Sequence, residues 1–97
     1  MKLSYVYILQ CVDDTYYTGV TSNLDNRLIE HHSAKYPDSY TAQRLPVKLV
    51  FYAEFTDINH AIASEKQIKN WSRTKKEALI AGKYEELPNL AKKKFKK

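Results

Sequence analysis

Several ways of building a protein are closed to this chain by what it lacks. It has one cysteine, Cys11, in 97 residues, so no internal disulfide can staple it, and the expected setting is a reducing cytoplasm. The opening Met1-Lys2-Leu3-Ser4-Tyr5 has no apolar stretch of the kind a secretory signal carries. The longest apolar segments, around residues 5–11 and 49–55, are strand-sized, whereas a membrane-spanning helix needs about 20 such residues, so no membrane is expected as a partner. Only two glycines and three prolines stand against 43% apolar residues, which speaks against disorder. The length allows one modest core and excludes a second domain.

What is there is unevenly charged. Residues 1–68 hold six basic and eight acidic side chains, while residues 69–97 hold ten basic and three acidic ones. Such a basic third suits a phosphate-bearing polymer, because each Lys or Arg that neutralises a phosphate releases a condensed counterion. Lys92, Lys93, Lys94, Lys96 and Lys97 close the chain, and a short terminal run of this kind is often only solvated charge. The expected division is therefore a folded domain over 1–86 and a basic tail over 87–97.

Tyr5–Val12 is rich in aromatic and β-branched residues and reads as a strand. Asp13-Asp14-Thr15 follows as turn chemistry, and residues 16–21 complete a hairpin. Ser22 or Asn23 can cap a helix bearing Leu24, Leu28 and Ile29, which ends before Pro37. Residues 33–46 form a long polar loop, a feature that is often functional in a small domain. A strand over 47–55 leads through Thr56-Asp57 into a second helix that runs to about Trp71, with the stripe Ile58, Ala61, Ile62, Glu65 and Ile68. Thr74–Glu77 fits a capping box for a third helix, which Gly82 ends. The order β-β-α-β-α-α implies an α+β fold: a small, largely antiparallel three-stranded sheet flanked by helices.

Three features break this bland pattern. Glu65 falls on an apolar helix face, where a carboxylate must be paired, protonated or bound to metal. Arg27 and His31 are spaced i, i+4 and share one face of the first helix, a phosphate-clamping cation beside a titratable ring. Four of the eight tyrosines lie in the opening hairpin, and register decides whether Tyr7 and Tyr17 cooperate. A two-residue turn at Asp13-Asp14 puts them on opposite faces of the sheet. A three-residue loop with Asp14 left-handed instead sets Tyr7 opposite Gly19 and Tyr17 opposite Leu9, on one face, with Gly19 leaving space above the sheet.

Taken in order, Tyr5-Val6-Tyr7, Tyr17-Thr18-Gly19, Arg27, His31 and Glu65 resemble the GIY-YIG endonucleases. The likeness spans roughly residues 3–83. Residues 21–27 and 64–71 are similar to the small stand-alone bacterial branch, itself similar to the N-terminal nuclease domain of the UvrC repair protein. Tyr5 stands where the motif has its first glycine, Thr18 where it has isoleucine, and Val20 where some members carry lysine. The asparagine that several relatives carry on a late helix has no clear counterpart.

The resemblance implies hydrolysis of a DNA phosphodiester with one divalent ion, Mg²⁺ or Mn²⁺, held by Glu65. Hard cations of this kind retain several waters, so one carboxylate can suffice. Arg27 is expected to hold a phosphate oxygen and stabilise transition-state charge. One of Tyr7 and Tyr17 would be the general base and the other a positioning group. An unperturbed tyrosine, with a pKa of about 10, needs help for this, and His31 could take its proton. Gly19 and Asn23 would shape the site, and Lys66, Lys69, Arg73, Lys75 and Lys76 would track the nucleic-acid backbone. No helix-turn-helix or zinc finger is present, so the expected cleavage is structure-directed, weakly specific or targeted by a protein partner, in repair or recombination. The alternatives are a nucleic-acid-binding protein with negligible activity, and an adaptor using an exposed patch of Tyr5, Tyr16 and Tyr52.

Overall fold

The opening hairpin turns through a three-residue loop. In the computed structural model, which describes residues 3–33, 35 and 37–82, strands β1 (Ser4–Gln10) and β2 (Tyr16–Thr21) pair with Tyr7 opposite Gly19 and Leu9 opposite Tyr17. The Cys11 amide donates to the Thr15 carbonyl at 2.8 Å, and Asp14 takes the left-handed conformation with φ 69°. Of the two registers open from the sequence, the one that puts both tyrosines on a single face is realised.

Strand β3 (Lys48–Phe55) joins the other edge of β1, giving an entirely antiparallel sheet in the order β2-β1-β3. The ladder passes from Ile8 opposite Phe51 to Leu9 opposite Leu49 and so skips Val50, a bulge of the kind that re-aims side chains. Three helices follow the expected order: α1 (Leu24–His32), α2 (Ile58–Lys69) and α3 (Arg73–Ala81). The Asn23 side chain caps α1 by accepting the Asn26 amide at 3.0 Å. Asp57 caps α2, and Gly82 with φ 80° ends α3.

Alternation along the strands splits the core into two. On one face Val6, Ile8, Phe51, Ala53 and Phe55 pack with Ala61 and Ile68 of α2 and Leu79 of α3. On the other, Tyr7, Leu9, Cys11 and Val47 pack with Leu24 and Leu28 of α1. The sheet is thus the middle of three layers, and the tyrosine face lies under α1.

Local expectations are corrected at four places. The buried face of α2 is Ala61, Ser64, Glu65 and Ile68, an i, i+3, i+4, i+7 set, while Ile58 and Ile62 are exposed. Ile62 stands about 100° round the helix from Ala61, which carries it off the sheet. Helix α2 stops at Lys69, two residues short of Trp71. Helix α3 starts at Arg73 because Ser72, rather than Thr74, supplies the capping oxygen, accepting the Lys75 amide at 3.3 Å. The long loop contains a 3₁₀ turn at Ala42–Arg44. The expected tail at 87–97 and the end of the 1–86 domain lie outside the described residues. No helix among the described residues is long and apolar enough to cross a membrane.

Candidate active site

The centre of the tyrosine face is a chain of polar contacts through His31. Its Nε2 lies 2.9 Å from the Tyr7 hydroxyl and its Nδ1 lies 2.7 Å from the Thr41 hydroxyl. All three residues are buried. Helix α1 delivers His31 in its last turn, β1 delivers Tyr7, and the loop before β3 delivers Thr41.

Gly19 makes this possible. A Cβ at that position would lie 2.5 Å from the Tyr7 hydroxyl oxygen and 2.6 Å from its Cζ, closer than any real carbon approaches. The bare backbone is therefore the floor on which the phenol rests.

Tyr17 joins from β2. Its ring centroid is 5.3 Å from that of His31 and 6.3 Å from that of Tyr7. Its other neighbour is Tyr40, stacked at 6.1 Å with 28° between planes, and the Arg44 guanidinium covers the Tyr40 ring at 3.8 Å. Arg44 also donates to Asp13 Oδ2 at 3.1 Å and to the Tyr40 carbonyl at 3.0 Å. The loop is thereby fastened to the tip of the hairpin.

Electrostatics keep this centre neutral. Burial pushes the Tyr7 phenol above its ordinary range, with Tyr17, Glu30 and Glu65 adding to the effect and Arg27 opposing it. Burial also holds His31 below the usual imidazole range, reinforced by Arg27 and His32 and opposed by Glu30. A standing phenolate and a standing imidazolium are thus both disfavoured, and the pair rests neutral. Arg27 is half-exposed and only loosely paired with Glu30, Nε to Oε1 at 3.7 Å, so its fork can still engage an anion.

Glu65 approaches from α2, buried and close enough to act on the Tyr7 phenol. Its Oε2 is 2.8 Å from Lys69 Nζ. That contact, led by the hydrogen bond, raises the Lys69 ammonium, to which Tyr17 also contributes. Among the described residues no group of three or more His, Cys, Asp and Glu could hold a metal ion. The donor set fits a Mg²⁺ or Mn²⁺ site only of the single-carboxylate kind, with waters and phosphate oxygens completing the shell.

The remaining expected residues divide. Asn23 caps α1. Lys66 and Lys75 are exposed, and Lys76 is half-buried with its ammonium lowered by burial. Arg73 is occupied structurally: it donates to the Asp14 carbonyl and to Glu77 Oε2 at 3.0 Å, and it lies over the Tyr16 ring at 4.8 Å. Tyr16 is on the sheet face opposite Tyr5 and Tyr52, so the three-tyrosine patch an adaptor would need does not form. Tyr5 and Tyr52, 6.4 Å apart, instead border a cavity of about 360 Å³ beside α1 with Asp25 and Glu54. Thr41, Tyr40 and Arg44 were not singled out by the sequence. Their one signal is membership of a long polar loop.

Comparison with known proteins gives a consistent picture. The family described as the GIY-YIG catalytic domain matches residues 3–78. A UPF0213 protein of Syntrophus aciditrophicus is 48% identical over 80 residues, covering 82% of this chain and 92% of that protein. Another from Natronomonas pharaonis is 44% identical over 77 residues, covering 79% and 89%. The solution NMR structure of a UPF0213 protein from Bacillus halodurans is similar at a TM-score of 0.54 with 40% identity, covering 81% of this chain and 83% of that one.

Proposed function

This chain belongs to the GIY-YIG family, an endonuclease superfamily, and on that premise we propose that it is a divalent-metal-dependent endonuclease that hydrolyses DNA phosphodiester bonds. The observation that carries the reading is the 2.9 Å hydrogen bond between the Tyr7 hydroxyl and His31 Nε2, made beside Tyr17 and within the field of Arg27 and Glu65.

A phenol with a raised pKa can serve as a base only if its own proton leaves as it takes another. His31 Nε2 is placed to receive it. In this reading an attacking water gives a proton to the Tyr7 oxygen while the Tyr7 proton passes to His31. The imidazolium formed is a transient state of a ring that is neutral at rest. Tyr17 then positions the water or the phosphate.

Arg27 holds a nonbridging phosphate oxygen. Its planar, permanently charged fork suits the negative charge that grows there, and an interaction of this kind is worth about 3–4 kcal/mol of barrier where water is excluded. Glu65 would hold the Mg²⁺ or Mn²⁺, which when bound stabilises the leaving oxygen and polarises the phosphate. Lys69, 2.8 Å from Glu65 Oε2, lies beside that carboxylate. Lys66, Lys75 and Lys76 follow the backbone and read no sequence, so branch structure, damage or a protein partner selects the target. Repair and recombination in the cytoplasm are the settings this suits.

One observation favours a second reading. The Glu65–Lys69 pair satisfies Glu65 without any metal, as it would in a nucleic-acid-binding protein with negligible activity. Nicking of supercoiled plasmid and of labelled branched DNA, with Mg²⁺, Mn²⁺ or EDTA, separates the two. The nuclease reading expects metal-dependent cleavage that Glu65→Gln abolishes. Salt-sensitive binding without cleavage, unaltered by Glu65→Gln, supports the other.

A further inference from the structure

A neutral imidazole carries one N–H, and both ring nitrogens of His31 are engaged. Only one of its two contacts can therefore be donated by the ring, and the other must be accepted. If Nε2 bears the hydrogen, the ring donates to the Tyr7 oxygen and cannot receive the Tyr7 proton. If Nδ1 bears it, the ring donates to Thr41 and offers Nε2 to Tyr7 as an acceptor. Both partners are hydroxyls, which can donate or accept, so the ring form is set by which of the two is held as the acceptor.

We propose that Thr41 is a positioning residue that holds His31 in the Nδ1–H form and thereby makes Nε2 the acceptor for the Tyr7 proton. The proposal rests on the nuclease reading for its chemical use, though not for its geometry. Thr41 is suited to the task by how firmly it is held. It is 1% exposed. Its neighbour Tyr40 is clamped between the Tyr17 ring and the Arg44 guanidinium, and its carbonyl accepts the Arg44 amide at 3.0 Å. Arg44 is in turn fixed to the hairpin by the Asp13 ion pair and by its carbonyl, which accepts the Val12 amide at 3.0 Å. The hydroxyl at Nδ1 thus sits at the end of a braced segment, 2.7 Å from the ring nitrogen. The arrangement is that of a hydrolase in which a third group fixes the tautomer of a catalytic histidine, here with a neutral hydroxyl in place of a carboxylate.

The test reads the ring directly. Long-range ¹H–¹⁵N spectra of the full chain, without substrate or metal, report which His31 nitrogen is protonated at a pH where the ring is neutral. The expected result is Nδ1–H in the wild type and in Thr41→Ser, with Thr41→Val moving the ring toward Nε2–H while its backbone spectrum stays folded. Plasmid nicking by the same proteins is expected to show kcat lowered by about 10–100-fold in Thr41→Val with KM unchanged, the range for loss of an outer hydrogen-bond partner, and rescue in Thr41→Ser. An Nε2–H ring in the wild type overturns the proposal. So does a ring form in folded Thr41→Val identical to the wild type, or full activity in that variant. A Thr41→Val that does not fold leaves the wild-type and Thr41→Ser spectra to decide. A wild type that cleaves nothing while its ring is Nδ1–H defeats the nuclease reading and leaves the tautomer assignment standing.

Discussion

The phenol of Tyr7 occupies the space that a side chain at Gly19 would fill. The two are partners across the β1–β2 ladder, and a methyl group at residue 19 would stand 2.5 Å from the Tyr7 oxygen and 2.9 Å from Cε1. The ring is buried and cannot swing into solvent. Gly19→Ala should therefore lower the free energy of unfolding by about 1–3 kcal/mol, as overpacking does, and should also displace the hydroxyl from His31. Urea denaturation and nicking assays check the two effects together. An alanine variant as stable and active as the wild type would contradict the arrangement.

The two tyrosines should differ in kind. Tyr7→Phe removes the hydroxyl that contacts His31 and is expected to reduce cleavage by about 10²–10⁴-fold, the span of general acid–base contributions, at a stability cost of about 1 kcal/mol. Tyr17→Phe keeps the Tyr7–His31 contact and its ring stacking, so a smaller loss is expected. Single-turnover rates of both variants decide this, and a larger loss in Tyr17→Phe would transfer the role of base to Tyr17.

Acid should weaken the fold through His31. The ring is faced by Arg27, Glu30 and His32 on its own helix, by Tyr7 and Tyr17 on the hairpin and by Thr41 on the loop, and it is held below the ordinary imidazole range. The unfolded chain, with an imidazole pKa of about 6.5, binds a proton more readily than the folded one. Stability contributed by the neutral ring is thus complete above that value and is lost as pH falls toward the lower, folded pKa. The unfolding free energy of the wild type minus that of His31→Gln, measured by urea titration across this range, should decline on the acid side of about 6.5. A flat difference would show that His31 is not held neutral.

Thr18 offers a stabilising change. It is 2% exposed, and its hydroxyl alone among the described residues' buried side-chain polar atoms lacks a hydrogen-bond partner. Burying such a group without a partner costs about 1–3 kcal/mol. Thr18→Val keeps the shape and removes the polar atom, so thermal unfolding should occur at higher temperature with cleavage unchanged. A lowered melting temperature would mean that the hydroxyl is paired.

The sequence made strands, helices and most caps legible because each is fixed by neighbours a few residues away. The aromatic and β-branched run over residues 5–11, Asn23 before Leu24 and Gly82 after α3 are local signals. The hairpin register was narrowed to two choices, and the loop at residues 12–14 selected between them through the left-handed Asp14. The stripe of α2 was misjudged at Ile58 and Ile62 because hydrophobicity alone does not say which side of a helix meets the sheet. Tyr7, Tyr17 and His31 stood out by type and spacing. Thr41, Tyr40 and Arg44 did not, because their contacts with His31, Tyr17 and Asp13 join distant parts of the chain through a segment with no periodicity to read.

The partners that hold His31 lie 24 and 10 positions away, one of them in that irregular segment. Opening of residues 37–44 would leave strands, α-helices and both cores in place while the imidazole loses its brace, a local event that costs less than global unfolding. The competent fraction of the protein is then governed by loop closure rather than by overall stability. Hydrogen exchange at the Arg44 amide, which bonds to the Thr41 carbonyl, becomes the gauge of that fraction. A substitution such as Arg44→Ala, which touches no strand or α-helix, would act as a dimmer on turnover in a molecule that still melts as one unit.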